Sequence, residues 1–352
     1  MNTPASEKLA RFIDSPDWQG PVPVRVEPLL GDASTRTYAR MHYANGRTEI
    51  VSVAPKPGDQ SVFLEVQGFL AGLGLPVPGL IQSDQTKTIV VQEDLGDDLL
   101  EYALRGATES ELAGLYQQAV DLLVELRKAT DGLDTGCGSF DLAFDEEKLM
   151  WEMEFFLTHF VGGLSKSDPT GEATETLRRL FRVMCAMLAA EPRVFAHRDY
   201  HARNLIVHNG RLRMIDFQDA RMGPAQYDLA SLLRDSYVTV PEPLVDSLIR
   251  RYFEAATHPR NESFERFRYV FDVMSLQRNI KALGTFGYQA SVRGSTRYLS
   301  AIPRTAGHIT RNMARLDDFS DFRWAVEDCI CTPAFRISTP AVNQRAELLQ
   351  NC

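Results

Sequence analysis

The stretch that decides how this chain folds is VFAHRDYHARNLIVHNGRLRMIDFQD, residues 194–219. Residues 197–204 are too polar and too rich in loop formers to make a strand, whereas 205–208 and 211–215 are short strand-like runs. Between the runs stands Asn209-Gly210, the dipeptide best suited to the positive φ angles of a type I′ turn. The resulting hairpin folds Asp216 back beside Asn204. An amide oxygen and a carboxylate converging there are hard ligands suited to Mg²⁺, which takes few protein groups and keeps water and phosphates for the rest. Asp199 is left to orient a hydroxyl nucleophile or to take its proton. Alone, Asp-x-x-x-x-Asn is an ordinary solvated loop and Ile-Asp-Phe an ordinary strand end. In this order, with a hairpin between them, they divide into the base and the two metal ligands of phosphoryl transfer.

Working outward, the residues up to about 98 are β-rich with one or two helices. Residues 22–28 and 37–43 alternate in polarity, Asn45-Gly46 turns the chain, and 48–54 runs back as a strand. Val62, Phe63, Val66, Phe69 and Leu70 form a helical stripe over 61–73, broken by Pro76-Val77-Pro78. Residues 88–92 make a further strand, and 93–98 a polar joint. Beyond it the periodicity is helical. Thr108 and Glu111 have the spacing of a capping box, and Leu112, Leu115, Tyr116, Ala119, Leu122, Leu123 and Leu126 share one face. More helices are expected over 146–159, 173–190, 227–236, 243–256 and 263–283. The expected fold is α+β and bilobed: a small β-rich lobe over 1–98, a larger, mostly helical lobe over 99–330, and a polar extension over 331–352.

Composition narrows the class. The chain has 352 residues, 44% of them hydrophobic, enough for a large core. A net charge of −9 argues against nucleic acid, whose phosphates are held by clustered Lys and Arg. The five cysteines at 137, 185, 329, 331 and 352 have neither the even number nor the spacing of a disulfide framework or a zinc site. They fit reduced thiols in a cytoplasmic protein. Neither a signal-peptide core nor a membrane-spanning run is present, so no membrane partner is expected.

The segment 194–219 resembles the catalytic and metal-binding core of the aminoglycoside phosphotransferase/choline kinase superfamily, small-molecule kinases with a protein-kinase-like fold. LGDASTRTYAR (30–40), VQEDLGDD (91–98) and MSLQRNIKALGT (274–285) are similar to the bacterial branch acting on the anomeric hydroxyl of N-acetylmuramate and N-acetylglucosamine. The likeness runs from about 28 to about 315. It implies ATP and Mg²⁺ as cofactors, a small amino-sugar substrate, a sugar 1-phosphate product and a part in cell-wall recycling. Asp199 then becomes the base, and Asn204 and Asp216 the metal ligands. Gly31, Ser34, Thr35 and Arg36 form a loop over the ATP phosphates, and Glu93, Asp94 and Leu95 a hinge whose backbone meets adenine.

The chain also departs from the pattern. There is no G-x-G-x-x-G loop. In TEIVSVAPKPG (48–58), Val53 or Ala54 aligns with the strand lysine of protein kinases, and Lys56 falls past Pro55. Either Lys56 reaches back, with Glu65 on the next helix as its partner, or Arg36 supplies the charge, or metal does. Gln218 stands where protein kinases have Gly, and no Ala-Pro-Glu follows, which argues against a protein kinase with a phosphorylated activation loop. For the acceptor, DEEKLMWEMEFF (145–156) offers the carboxylate of Glu147 and the ring of Trp151, and Gln277, Arg278 and Lys281 offer an amide and positive charge. Arg278 meets either a substrate carboxylate or an acid of its own lobe. Arg203 meets either the phosphoryl group or an outward salt bridge. A kinase for another small hydroxyl compound, or a nucleotide-binding pseudokinase, are the alternative functions.

Overall fold

The computed structural model describes residues 4–29, 36–168, 170–256 and 262–338. Its first lobe opens with helix α1 (Pro4–Ile13), followed by strands β1 (Arg25–Leu29), β2 (Thr37–His42) and β3 (Thr48–Val53). Helix α2 (Ser61–Gly72) leads to β4 (Leu80–Ser83) and β5 (Ile89–Glu93). The five strands form one antiparallel sheet in the order β1-β2-β3-β5-β4. The β2–β3 turn closes with the Gly46 amide donating to the Tyr43 carbonyl at 3.0 Å. Gly46 sits at φ +82°, the left-handed position that a three-residue hairpin loop assigns to glycine.

Strand alternation puts an apolar layer on each side of this sheet. Val51 and Val53 join Met41, Ile89 and Val91 beneath Leu9 and Phe12 of α1. On the other face Val90 packs with Phe63, Val66 and Leu70 of α2, in continuity with the core of the second lobe. Neither α1 nor β4 was expected from the sequence. β4 is four residues long and mostly exposed, so burial leaves no alternation to read.

The second lobe begins with α3 (Leu100–Ala103) and α4 (Glu109–Ala129). The expected capping box is formed: Thr108 Oγ1 accepts from the Glu111 amide at 3.3 Å, and Glu111 Oε2 from the Thr108 amide at 2.8 Å. Helix α5 (Glu146–Phe156) widens into a π-helical segment, Leu157–Leu164, before α6 (Glu172–Ala189). Two ribbons follow: β6 (Arg193–Ala196) pairs with β9 (Arg221–Pro224), and β7 (Leu205–His208) with β8 (Arg211–Met214). Asn209 and Gly210 have φ +51° and +74°, the type I′ geometry read from the dipeptide. Helices α7 (Gln226–Leu233), α8 (Glu242–Ala255), α9 (Phe264–Ser291), α10 (Ile302–Arg315), α11 (Arg323–Val326) and α12 (Thr332–Ser338) complete the described chain. The start of the expected polar extension is thus helical, with Pro333 and Ala334 buried. Cys137, Cys185, Cys329 and Cys331 are free thiols. Among the described residues no helix is long and apolar enough to cross a membrane.

The 28-residue α9 is the axis of this lobe and is buried on nearly every side over 270–280. It outruns its expected end at 283 because Gly284 and Gly287 let it lie directly against α5 and the π-helical segment. A Cβ on Gly284 would stand 2.8 Å from Phe156 Cα, and one on Gly287 2.5 Å from the His159 carbonyl oxygen. Gly284→Ala and Gly287→Ala should therefore each destabilise the fold by about 1–3 kcal/mol through overpacking. Gly307→Ala, on an exposed face of α10 with nothing within 4 Å of the new Cβ, should stabilise by roughly 0.5–1 kcal/mol. Thermal denaturation of the three variants separates packing from helix propensity.

Candidate active site

The loop between β6 and β7 is fixed by two carboxylates from below. Asp228, in the first turn of α7, accepts from the amides of His197 at 2.6 Å and Arg198 at 2.9 Å. Asp235 accepts from the Ala202 amide at 3.0 Å and the Tyr237 amide at 2.8 Å. Tyr200 is fully buried and donates to the Ala119 carbonyl at 2.7 Å. These anchors hold Arg198 at φ +79°, a strained position for a side-chain-bearing residue, and leave Asp199 facing outward. Burial opposes ionisation of Asp199, but the charges of Lys281 and Arg198 outweigh it and hold the carboxyl well below the usual range. Lys281 Nζ lies 3.6 Å from Asp199 Oδ1.

The β7–β8 hairpin brings Asp216 to Asn204. The Ile215 amide donates to the Asn204 carbonyl at 3.0 Å. Asn204 Nδ2 donates to the Asp199 carbonyl at 2.9 Å and to Asp216 Oδ2 at 3.3 Å. With its nitrogen fixed on those acceptors, Asn204 keeps its amide oxygen for another partner. Asp216 sits at φ +64° and accepts from Gln218 Nε2 at 2.7 Å. Its carboxyl is pushed up, first by the protein packed around it at the cleft floor and then by the charge of Asp199, with Gln218 opposing. Its side chain nevertheless stays open to the cleft. Among the described residues no group of three or more His, Cys, Asp or Glu gathers as a metal cage. One amide oxygen and one carboxylate with excess negative charge nearby fit instead a hard ion that completes its shell with phosphate and water.

Between the lobes is a cavity of about 320 Å³ lined by Arg36, Ser52, Phe63, the hinge, Asn204 and Asp216. Arg36 lies with its guanidinium 5.8 Å from the Phe63 ring centre, and its charge is felt at Asp216. Gly31, Ser34 and Thr35 fall outside the described residues. Lys56 is exposed on the turn after β3, where its own amide donates to Asp59 at 3.0 Å. Glu65 accepts from the Gly138 amide at 2.7 Å. Neither belongs to the cavity lining, so the strand-lysine pairing has no counterpart here, and Ile50 and Ser52 are what β3 turns into the cleft. At the hinge, Asp94 is committed to Arg40 at 2.6 Å and Glu93 to Arg213 at 2.8 Å. Leu95 is buried, and its carbonyl accepts from His208 Nδ1 at 3.0 Å.

Beyond Asp199 a second cavity, about 120 Å³, is lined by His201, Asp235, Tyr237, Arg278, Lys281 and Thr285, among others. Arg278 is 6% exposed and donates through Nε to Ser231 Oγ. It forms no ion pair with an acid of the lobe among the described residues. Arg203 is committed to Glu101 at 2.7 Å, with its guanidinium carbon 3.5 Å from the Tyr237 ring centre. Glu147 is exposed, and Trp151 is 56% exposed with Lys148 Nζ 4.0 Å from its ring centre. The carboxylate that α5 turns inward is Glu152, which accepts from Gln277 Nε2 at 3.0 Å and acts electrostatically on Lys281. Sequence reasoning missed it, although 152 falls within the Leu149–Met153–Phe156 stripe that marks the buried face.

A family model described as the phosphotransferase enzyme family matches residues 25–266. The N-acetylmuramate/N-acetylglucosamine kinase of Pseudomonas aeruginosa is 30% identical over 307 residues, covering 86% of this chain and 88% of its own. The protein of the same description from Neisseria meningitidis is 32% identical over 287 residues, covering 80% and 83%. Among solved structures, a gentamicin complex of an aminoglycoside phosphotransferase aligns with a TM-score of 0.60 at 15% identity, covering 90% of this chain and 97% of that one. A choline/ethanolamine kinase family protein from Mesorhizobium loti aligns with a TM-score of 0.58 at 17% identity, covering 91% and 98%. Identities this low bear on the fold alone, which is bilobed and protein-kinase-like, as the sequence led us to expect.

The loop anchor can be tested by its pH signature. Burial pushes the Asp228 carboxyl up to about 7, against the two amides that donate to it. A carboxyl titrating near 7 when folded and near 4 when unfolded leaves the native state with more bound protons between those values. Its contribution to stability is therefore full below about pH 4 and falls as pH rises to about 7. Asp228→Asn should cost roughly 1–3 kcal/mol by orphaning one amide, and the gap to the native protein should narrow from pH 4 to 7. Urea denaturation across that range measures both; a constant gap would remove Asp228 from this role.

Proposed function

The chain belongs to the phosphotransferase enzyme family, and on that premise we propose that it is a sugar 1-kinase. In this reading it transfers the γ-phosphoryl group of ATP to the anomeric hydroxyl of N-acetylmuramate and N-acetylglucosamine. The coarser statement stands on the family itself: it is an ATP-dependent phosphotransferase, and its relatives act on small molecules with ATP and a divalent metal. What supports phosphoryl transfer is the linkage of Asn204 to both the Asp199 loop and Asp216. What supports an amino-sugar acceptor is the 30% and 32% identity to N-acetylmuramate/N-acetylglucosamine kinases over most of the chain.

Asp199 orients the acceptor hydroxyl and takes its proton. The acceptor oxygen then bonds to the γ-phosphorus, the bond to the bridging oxygen of ADP breaks, ADP leaves with the electron pair, and the proton passes from Asp199 to solvent. Asn204 and Asp216 would hold the divalent ion, Mg²⁺ in our reading, which when bound offsets charge on the phosphate oxygens. Arg36 and the loop carrying Gly31, Ser34 and Thr35 cover the phosphates. The backbone of Glu93, Asp94 and Leu95 meets adenine, the side chains of the first two being engaged with arginines. For the acceptor, Arg278 offers a cation for the lactyl carboxylate of N-acetylmuramate with Arg203 at the margin, whereas Trp151 and Glu147 are exposed on α5 and line neither cavity. Arg278 and Lys281 beside Asp199 disfavour cationic acceptors such as choline or aminoglycosides. The setting we infer is cytoplasmic recovery of cell-wall amino sugars.

Asp199→Asn should reduce turnover by ~10²–10⁴-fold with nearly unchanged ATP affinity, while Asp216→Ala should weaken Mg·ATP binding in calorimetry. The free sugar should be phosphorylated and its 1-O-methyl glycoside should be inert, because the blocked oxygen is the nucleophile. Equal turnover of the glycoside would refute the anomeric assignment. A charge-assisted hydrogen bond is worth roughly 1.5–3 kcal/mol, so Arg278→Ala should raise KM for N-acetylmuramate at least tenfold more than for N-acetylglucosamine.

A further inference from the structure

We propose that Lys281 is a further catalytic side chain, whose ammonium, held 3.6 Å from Asp199 Oδ1 on α9, binds an oxygen of the phosphoryl group as it passes to the acceptor. This rests on the reading of the protein as a kinase but not on which hydroxyl is phosphorylated.

Among the described residues no lysine lines the nucleotide side of the cleft, whose cations are the arginines Arg36, Arg40 and Arg203. β3 turns Ile50 and Ser52 inward, and Lys56 is out on an exposed turn. Most arginines around the centre are committed to acids of the protein: Arg40 to Asp94 and Asp97, Arg198 to Asp219 at 3.1 Å, and Arg203 to Glu101. Lys281 differs because its partner is the base itself. Its side chain is 18% exposed and opens into the cavity shared with Asp199 and Arg278. In so dry a position a cation acts on nearby charge more strongly than in water.

The position is also rigid. Gln277 is tied to Glu152 at 3.0 Å, Asn279 Nδ2 donates to the Arg234 carbonyl at 2.9 Å, and Gly284 and Gly287 seat the same helix against α5 and the π-helical segment. The charge then moves in step with the chemistry. While Asp199 is ionised, the ammonium is paired with it. Once the acceptor proton reaches Asp199 that attraction is lost, just as charge spreads over the equatorial oxygens of the transferring group. An ammonium has three donors and reorients at little cost. It can exchange one oxygen partner for the other without moving its helix.

Lys281→Met and Lys281→Arg distinguish this role from a structural one. In Lys281→Met, kcat should fall about 10²–10³-fold, the size of losing one preorganised donor, with KM for ATP within about twofold. Lys281→Arg should recover at least tenfold of that loss. A second readout needs neither turnover nor a known acceptor: calorimetric binding of ADP with Mg²⁺ and aluminium fluoride, which mimics the transferring phosphoryl group. Lys281→Met should weaken that complex at least tenfold and leave ADP with Mg²⁺ alone unchanged. Equal binding of both by a variant that melts at the native temperature would overturn the proposal, as would a kcat within threefold of native. If no amino sugar is turned over but the fluoride complex still depends on Lys281, the acceptor reading fails and the role of Lys281 stands.

Discussion

The side-chain amide of Asn204 donates in two directions, to the Asp199 carbonyl at 2.9 Å and to Asp216 at 3.3 Å. Everything else in the site is arranged around that bridge. On one side it depends on a loop pinned by Asp228, Asp235 and Tyr200; on the other, on a two-residue turn that returns the chain at the right register. Shifting the hairpin by one residue would turn the neighbouring side chains to the opposite face and carry Asp216 away from Asn204. A type I′ turn at Asn209-Gly210 forbids the shift. The larger helical lobe serves to hold this loop and hairpin still.

The second constraint is electrostatic. Asp199, Asp216 and Asp219 put several carboxylates close together at the cleft floor, and the structure answers with cations from other elements: Arg198 in the loop itself, Arg36 from the small lobe, Lys281 and Arg278 from α9. Asp199 is held ionised by its neighbours, while the Asp216 carboxyl is pushed up by the protein packed around it and by the charge of Asp199. Two like groups a few residues apart in space are thus driven in opposite directions by what surrounds them. Held ionised, Asp199 is suited to accept a hydrogen bond from a hydroxyl and orient it, and a cation beside Asp216 would offset the charge that pushes its carboxyl up.

What could be read in the sequence was what is local. The hairpin, the capping box at Thr108, the helical stripes and the order Asp199, Asn204, Asp216 each rest on residues within a few positions of one another. What could not be read depends on long-range packing. Lys281 meets Asp199 across more than eighty residues, and no pattern within either segment announces the meeting. Glu152 rather than Glu147 faces inward because the helical phase of α5 is set by Leu149, Met153 and Phe156; the acids of EEKLMWEME surround the helix, so composition alone does not choose between them. The hinge carboxylates of Glu93 and Asp94 are engaged by Arg213 and Arg40, partners supplied by distant strands. The strand lysine is absent from the sequence, and nothing nearby in the sequence names what stands in for it.

In the proposed reaction the anomeric oxygen of an amino sugar attacks phosphorus beside Asp199. Following that oxygen tests it most directly. N-acetylglucosamine carrying ¹⁸O at its anomeric position would be incubated with the enzyme, ATP and Mg²⁺, and the product examined by ³¹P NMR. A sugar 1-phosphate is expected, its phosphorus resonance showing the upfield isotope shift of one bridging ¹⁸O. A phosphorylated sugar without that shift, its phosphorus coupled to a proton elsewhere on the ring, would contradict it.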